Sequence, residues 1–178
     1  WGDKWNKRWG KGPEIFNPSN ARIYGEWLGK RYRDKPIIWI LGADRPVEND
    51  QQRAVLRAMA EGLKAGDCGR HLISFHPQGR KNSSEFWPDE PWLDFHQFQS
   101  GHQSQATHNF DYNAANLALT PLKPTLDGEP CYEDHPVRGL WKEGQAPVTW
   151  FNDFDARRAA WWSLLSGACG HVYGNHNI

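Results

Sequence analysis

Apolar residues recur along the chain in short groups whose spacing switches between helical and extended. Asn17 is placed to cap a helix with Pro18 at its first position, and Ala21, Tyr24 and Leu28 follow at helical spacing to an end near Asp34. Beyond Pro36, the run Ile37-Ile38-Trp39-Ile40-Leu41 lacks alternation, which predicts a strand covered on both faces and closed by Gly42. Asn49 and Gln52 resemble a capping box, and Leu56, Met59, Ala60 and Leu63 form an apolar stripe that predicts a helix ending at Gly66. Strands are predicted over His71–Phe75 and Phe95–Gln99, joined by an irregular Gly79–Trp92 connection. A short helix over Asn113–Leu119 and a weak strand over Pro124–Asp127 come next. Trp161, Leu164, Leu165 and Ala168 share one face of a helix from about Phe154 to Ala168, which places Trp161 in a core. Gly170 stops that helix before a last strand over His171–Tyr173.

Five strands separated by mostly helical connections imply right-handed βαβ units and a parallel sheet, an α/β fold. Two architectures fit: an open doubly wound sheet and a (β/α)8 TIM barrel. Neither GxGxxG nor GxxxxGK[ST] occurs at a strand-to-helix turn, and the loop after Leu41 carries Asp44-Arg45-Pro46 in place of glycines, which favours the barrel. Whole barrels need about 250 residues. The 178 residues, opening on a helix and ending on a strand, therefore read as the C-terminal five strands of one, a partial catalytic barrel over 1–178 truncated at its N-terminus. An open barrel edge leaves unpaired backbone groups, so low solubility or association is expected of the isolated chain.

Composition adds an aromatic emphasis. Leu, Ile, Val and Phe make up only about a fifth of the residues, while 11 Trp and 5 Tyr supply large apolar faces with polar handles. Acids and bases balance at 21 each, so no basic stripe exists for a phosphate backbone and nucleic acid is a poor partner. The longest apolar run, Ile37–Leu41, is far too short to span a membrane. Cys68, Cys131 and Cys169 are odd in number and form no CxxC, so they read as packing thiols rather than a disulfide framework or zinc site. No signal peptide is visible, and a start at Trp1 leaves the compartment unread.

In a barrel, reactive groups stand just beyond the C-terminal ends of strands. Asp44 and Glu129 both occupy such positions, each shortly after a glycine. Glycoside hydrolysis needs a pair of this kind, one carboxyl to protonate the leaving oxygen and a second to attack the anomeric carbon or activate water. The bland alternative is that loop carboxylates cap helices or pair with arginine, as Asp44 would with Arg45. His76, His102, His171 and His176 form a rival strand-end set suited to a metal-dependent hydrolase. HExxH and HxH are absent, however, so no metal or cofactor is expected, and His76 and His102 read as hydrogen-bonding partners of sugar hydroxyls or carboxylates. Trp87 and Trp92 lie in the loop between two predicted strands, where ring faces on a rim would suit sugars. Tyr132 and His176 complete the candidate substrate-binding set. A non-catalytic carbohydrate-binding barrel using the rim tryptophans is the alternative from another class.

The segments Trp1–Trp5, Ile37–Pro46, Arg57–Leu63, His71–Pro77, Glu90–Phe95, Gln99–His102, Leu126–Asp134 and Ala168–His176, in order, resemble the apiosidase-like proteins of glycoside hydrolase family 140. The resemblance implies a (β/α)8 barrel, often followed by a small β domain absent from this chain. It also implies cleavage of apiose-linked side chains of complex pectin, a plant cell-wall substrate, and a periplasmic or secreted location. On motif position the catalytic aspartate carries over to Asp44 and the catalytic glutamate to Glu129. The chain departs from the family at Gly-Ala-Asp, where Gly-Gly-Asp is common, and at Cys131, where Arg often follows Glu-Pro. The assignment that follows is a retaining mechanism with Glu129 as nucleophile, Asp44 as general acid/base and carboxyl groups about 5 to 5.5 Å apart. Arg45, or a histidine such as His176, would hold Glu129 ionised.

Overall fold

A computed structural model describes residues 12–140, 142 and 144–176; the Trp1–Trp5 part of the resemblance lies outside them. The chain divides into two compact units, one of residues up to Phe75 with Glu90–Asp94, the other of His76–Asp89 with residues from Phe95 onward.

The first unit is built on two helices and a parallel strand pair. Helix α1 (Pro18–Tyr32) begins at Asn17, whose side chain accepts from the Asn20 N–H while Asn20 returns the bond to the Asn17 N–H. Strand β1 (Trp39–Leu41) precedes helix α2 (Asp50–Asp67), which Asn49 caps by accepting from the Gln52 N–H. Gln52 reaches back to the Glu48 N–H rather than to the cap residue itself. Strand β2 (Ile73–Phe75) pairs in parallel with β1, Trp39 opposite Ile73 and Leu41 opposite Phe75. Asp67, fully buried, accepts from the Trp39 indole at 3.0 Å and faces the His71 ring at 3.0 Å, fixing the end of α2 to the start of both strands.

Three expectations for this unit are corrected. The strand over Ile37–Leu41 is not covered on both faces: Ile38 and Ile40 are exposed on one side. Helix α2 does not stop at Gly66; it runs one residue further, to a left-handed Cys68 at φ 59° followed by Gly69 at φ 69°. The buried face of α1 is Ala21, Gly25 and Gly29, with Tyr24 exposed. Two glycine pairs explain that face, because α1 and α2 cross with their backbones in contact. A Cβ on Gly25 would lie 2.5 Å from the Met59 carbonyl, one on Gly29 2.5 Å from the Leu63 carbonyl, and ones on Gly62 and Gly66 against the carbonyls of Arg22 and Glu26. Helix propensity alone favours Gly62→Ala by up to about 1 kcal/mol. The crossing opposes it with an overpacking cost of about 1–3 kcal/mol. Gly62→Ala is therefore expected to lower the urea midpoint, and a raised midpoint would show that the helices separate without cost.

The second unit is a four-stranded sheet in the order β3-β4-β5-β6: β3 (Lys81–Asn82), β4 (His96–Gln99), β5 (Thr125–Asp127) and β6 (Gly170–His171). β4, β5 and β6 are parallel, with Phe98 opposite Asp127 and Asp127 opposite His171. β3 is antiparallel to β4 and was not expected, since two polar residues carry no strand pattern. Helix α3 (Asn109–Leu117) turns Asn109, Asn113 and Asn116 inward. Their amides donate to Ala159 O and Ser163 Oγ, to Ser166, and to Thr125 Oγ1 respectively, so this helix docks through side-chain hydrogen bonds rather than through an apolar stripe. Helix α4 (Asp153–Leu165) is capped by Asn152 with Asp155 and buries Asp155, Ala156, Ala159 and Ser163. Trp161 is 57% exposed and Leu165 78%, with Leu164 also exposed, so the predicted apolar face of this helix is not its packed face. The bonds from Asn109, Gln105 and His171 to Ala159, Asp155 and Ser163 set its rotation. Its stop is Gly167, at φ 99°, three residues before Gly170. Cys68 and Cys169 are exposed, which corrects their reading as packing thiols. Among the described residues no helix is long and apolar enough to cross a membrane.

Candidate active site

Glu129 follows β5 by two residues, and its position is fixed by backbone bonds to the neighbouring strand. The Gly128 N–H donates to Phe98 O at 2.9 Å, and the Gly101 N–H, beyond β4, donates to Glu129 O at 2.9 Å. A Cβ on Gly128 would fall on the Gln97 amide and force that buried side chain to move. Beneath the turn, Asp127 is fully buried and accepts from Ser100 Oγ at 2.7 Å and from the Asn109 amide at 3.3 Å. Burial raises this carboxyl to about 6 against the opposing pull of the Ser100 and Asn109 hydrogen bonds.

The Glu129 carboxyl group is 20% exposed and held at both oxygens. His102 Nε2 lies 2.9 Å from Oε1, and His76 Nε2 lies 3.3 Å from Oε2. Burial alone would raise the pKa of this glutamate, but the hydrogen bonds of the two histidines outweigh it and bring the group down to about 2. His76 and His102 thus act on the carboxylate, the second of the two roles expected for them. A histidine was expected to hold Glu129 charged, and His76 and His102 do so, rather than the named example His176 or Arg45.

Behind His102 the rings continue in a row. Tyr132 lies 4.5 Å from His102 between centroids, His135 stacks on it at 4.3 Å with planes 25° apart, and His176 meets His135 edge-on at 4.6 Å. His135 was not anticipated. It is buried, its Nδ1 donates to Pro136 O at 2.6 Å, and burial lowers its pKa to about 4. One sequence signal was available for it: His135-Pro136 repeats the dipeptide His76-Pro77, in which Nδ1 of His76 likewise meets the proline carbonyl, at 2.9 Å. His171 belongs elsewhere, bonded through Nδ1 to Ser163 Oγ of α4 at 3.0 Å. Among the described residues, no group of three or more His, Cys, Asp or Glu is placed to hold a metal ion. Cys131, two residues beyond Glu129, has its thiol pushed up to about 12 by burial and by Asp155 and Asp127, which removes it from nucleophilic roles.

Trp87 and Trp92 are corrected. Trp87 is completely buried and Trp92 is 8% exposed, so neither offers a ring face to solvent. The connection is not an open rim: β3 leads into a 3-10 turn over Ser83–Glu85, and the Trp87 N–H bonds to Ser83 O at 2.9 Å, which turns the indole inward. Asp44 lies in the first unit, partly buried. It ends three consecutive residues with positive φ, Gly42 at 92°, Ala43 at 68° and Asp44 at 61°. Two non-glycine residues in that region store strain of the kind concentrated at functional positions. Arg45 reaches the Asp44 carbonyl oxygen at 3.3 Å.

A family model described as Apiosidase-like, catalytic domain, matches residues 1–178. The chain is similar to a glycoside hydrolase family 5 protein from Bacteroides vulgatus, with 40% identity and a TM-score of 0.80 over 92% of this chain and 36% of that one. A second solved structure, a glycoside hydrolase, shares 38% identity at a TM-score of 0.79 over 90% of this chain and 38% of that one. A Faecalibacterium prausnitzii beta-glucuronidase, at 16% identity and TM-score 0.58 over 89% and 28%, shares the fold alone. No curated protein sequence matches. The chain thus spans little more than a third of the length of the more similar solved structures. The match over its whole length places this chain in the apiosidase-like catalytic domain family.

Proposed function

We propose that the chain supplies five strands of a (β/α)8 barrel and the catalytic carboxylate of a retaining, metal-independent glycosidase that removes apiose-type side chains from pectic polymers, in the periplasm or outside the cell. The observation that carries the reading is the state of Glu129: partly exposed, at the end of a parallel strand, and held at about 2 by two histidines. A carboxyl group so readily ionised has no proton to give at neutral pH, which supports a nucleophile's role over the acid's. Glu129 then attacks the anomeric carbon as the glycosidic bond breaks, and Asp44 gives its proton to the leaving oxygen. In the second half-reaction Asp44 takes a proton from water, whose oxygen displaces Glu129. Tyr132 and His176, on the ring row beside the carboxylate, contact the sugar.

Retention is tested by NMR of the first-formed sugar released from pectic oligosaccharides, with the retained anomer expected. Asp44→Ala is expected to slow substrates with poor leaving groups far more than activated aryl glycosides. Added azide should restore turnover and give a glycosyl azide of retained configuration. An inverted first product would remove Glu129 from the nucleophile role.

A further inference from the structure

The two histidines on Glu129 are not equivalent, and the difference lies in what their second nitrogens face. Nδ1 of His76 lies 2.9 Å from the carbonyl oxygen of Pro77, and its Nε2 lies 3.3 Å from Glu129 Oε2. A carbonyl and a carboxylate only accept hydrogen bonds, so each nitrogen must carry a proton and the ring is then an imidazolium. A neutral ring would aim one lone pair at an oxygen, whichever tautomer it took. His102 also donates through Nε2, at 2.9 Å to Oε1, but its Nδ1 is buried with no hydrogen-bond partner among the described residues. One proton satisfies the geometry of that ring, and a second would bury an N–H without an acceptor.

We propose that His76 is a standing imidazolium that positions and neutralises the Glu129 carboxylate, whereas His102 holds the other oxygen as a neutral Nε2–H donor. Among the described residues, the groups shown at this cluster include Glu129 beyond β5 and His102 beyond β4, with Tyr132 and His135 against the His102 ring and His176 against His135. Apart from Glu129 itself, the rings shown against His102 carry no negative charge, which leaves Glu129 balanced by His76 in a net-neutral pair. His76 is a positioning residue in this scheme. It keeps Oε2 directed and ionised, while the attack itself belongs to Glu129.

The kinetic part rests on Glu129 being the nucleophile; the protonation part does not. Nitrogen-15 NMR of the histidine rings at neutral pH, assigned with His76→Gln and His102→Gln, is expected to show both ring nitrogens of His76 protonated and only Nε2 of His102. A His76 ring carrying one proton overturns the proposal even if the protein proves to have no glycosidase activity. In kinetics, Gln in place of His76 keeps an N–H donor near the carboxylate but removes the charge. Loss of one charge-assisted hydrogen bond, about 1.5–3 kcal/mol, corresponds to a fall in kcat/KM of about tenfold to a hundredfold. The acid limb of the pH profile, which reports ionisation of Glu129, should move to higher pH in His76→Gln and move less in His102→Gln. Equal shifts in the two variants, or an unmoved limb in His76→Gln, would overturn it; a structural defect alone lowers activity without separating the two limbs.

Discussion

Glu129→Gln is expected to lower turnover by roughly four to six orders of magnitude, the range seen when a catalytic nucleophile or its activating partner is removed, while leaving the fold intact. The substitution is nearly isosteric, and the backbone anchors of this residue, the Gly101 bond to its carbonyl and the Gly128 bond to Phe98, do not involve its side chain. The amide cannot form a glycosyl ester of useful lifetime, so the covalent half-reaction is lost. It also removes the Glu129 charge from beside His76, since the amide can offer that ring an N–H in place of a carboxylate oxygen. Oligosaccharide affinity, measured by calorimetry, is expected to change by less than about tenfold, because the proposed sugar contacts are Tyr132 and His176. A variant with turnover within about a hundredfold of the wild-type protein would end the assignment of Glu129 as nucleophile and return it to a role in binding.

Much of the secondary structure was legible because it is written in local chemistry. Asn17 and Asn49 announce two helix starts, and the three apolar segments around Ile40, Ser74 and Phe98 appear as strands within a residue or two of their expected places. The site was legible for a related reason. His76, His102 and Glu129 all stand just past strand ends, and the parallel neighbours β4 and β5 bring His102 and Glu129 together. What the sequence concealed is decided by packing across long separations. The inward face of α4 is set by hydrogen bonds from Asn109 and His171, about 54 and 8 residues away from Ser163, and outweighs the visible stripe of Trp161 and Leu165. The glycine face of α1 reads as a weakness in a helix until Gly62 and Gly66 are seen to lie against it. The burial of Trp87 follows from a turn at Ser83 that no apolar pattern marks. Composition correctly counted the aromatic residues but could not say which of them would be spent on the core.

Acidification should destabilise the fold well before its carboxylates titrate in the usual range, and buried and half-buried histidines are the cause. Burial lowers His96, with Lys123 adding to the effect, and likewise His135 and His171, each to about 4 from an ordinary 6.5. For a group lowered in this way the unfolded chain takes up its proton first, so the stability it supports is complete above about pH 6.5 and is lost as pH falls toward 4. Asp127 acts in the opposite sense. Raised by burial to about 6, it keeps a proton in the fold that the unfolded chain has released, so it favours the folded state as pH falls from 6 toward 4. Three histidines against one aspartate leave the unfolded state with about two extra protons near pH 5. After discounting the partly solvated rings, that is a loss of roughly 1–3 kcal/mol for each pH unit between 6 and 4. From about pH 4.5 downward Glu129 adds to the loss, as its carboxylate is protonated only toward about 2 in the fold and near 4.5 outside it. Urea unfolding measured in half-unit steps from pH 7 to 4 checks the slope. Asp127→Asn should steepen it by removing the opposing proton, and His171→Asn should flatten it. A fold whose stability is level or rising on acidification through this range would mean that these rings are protonated in the native state, and that the polar interior around β5 is wetter than its hydrogen bonds indicate.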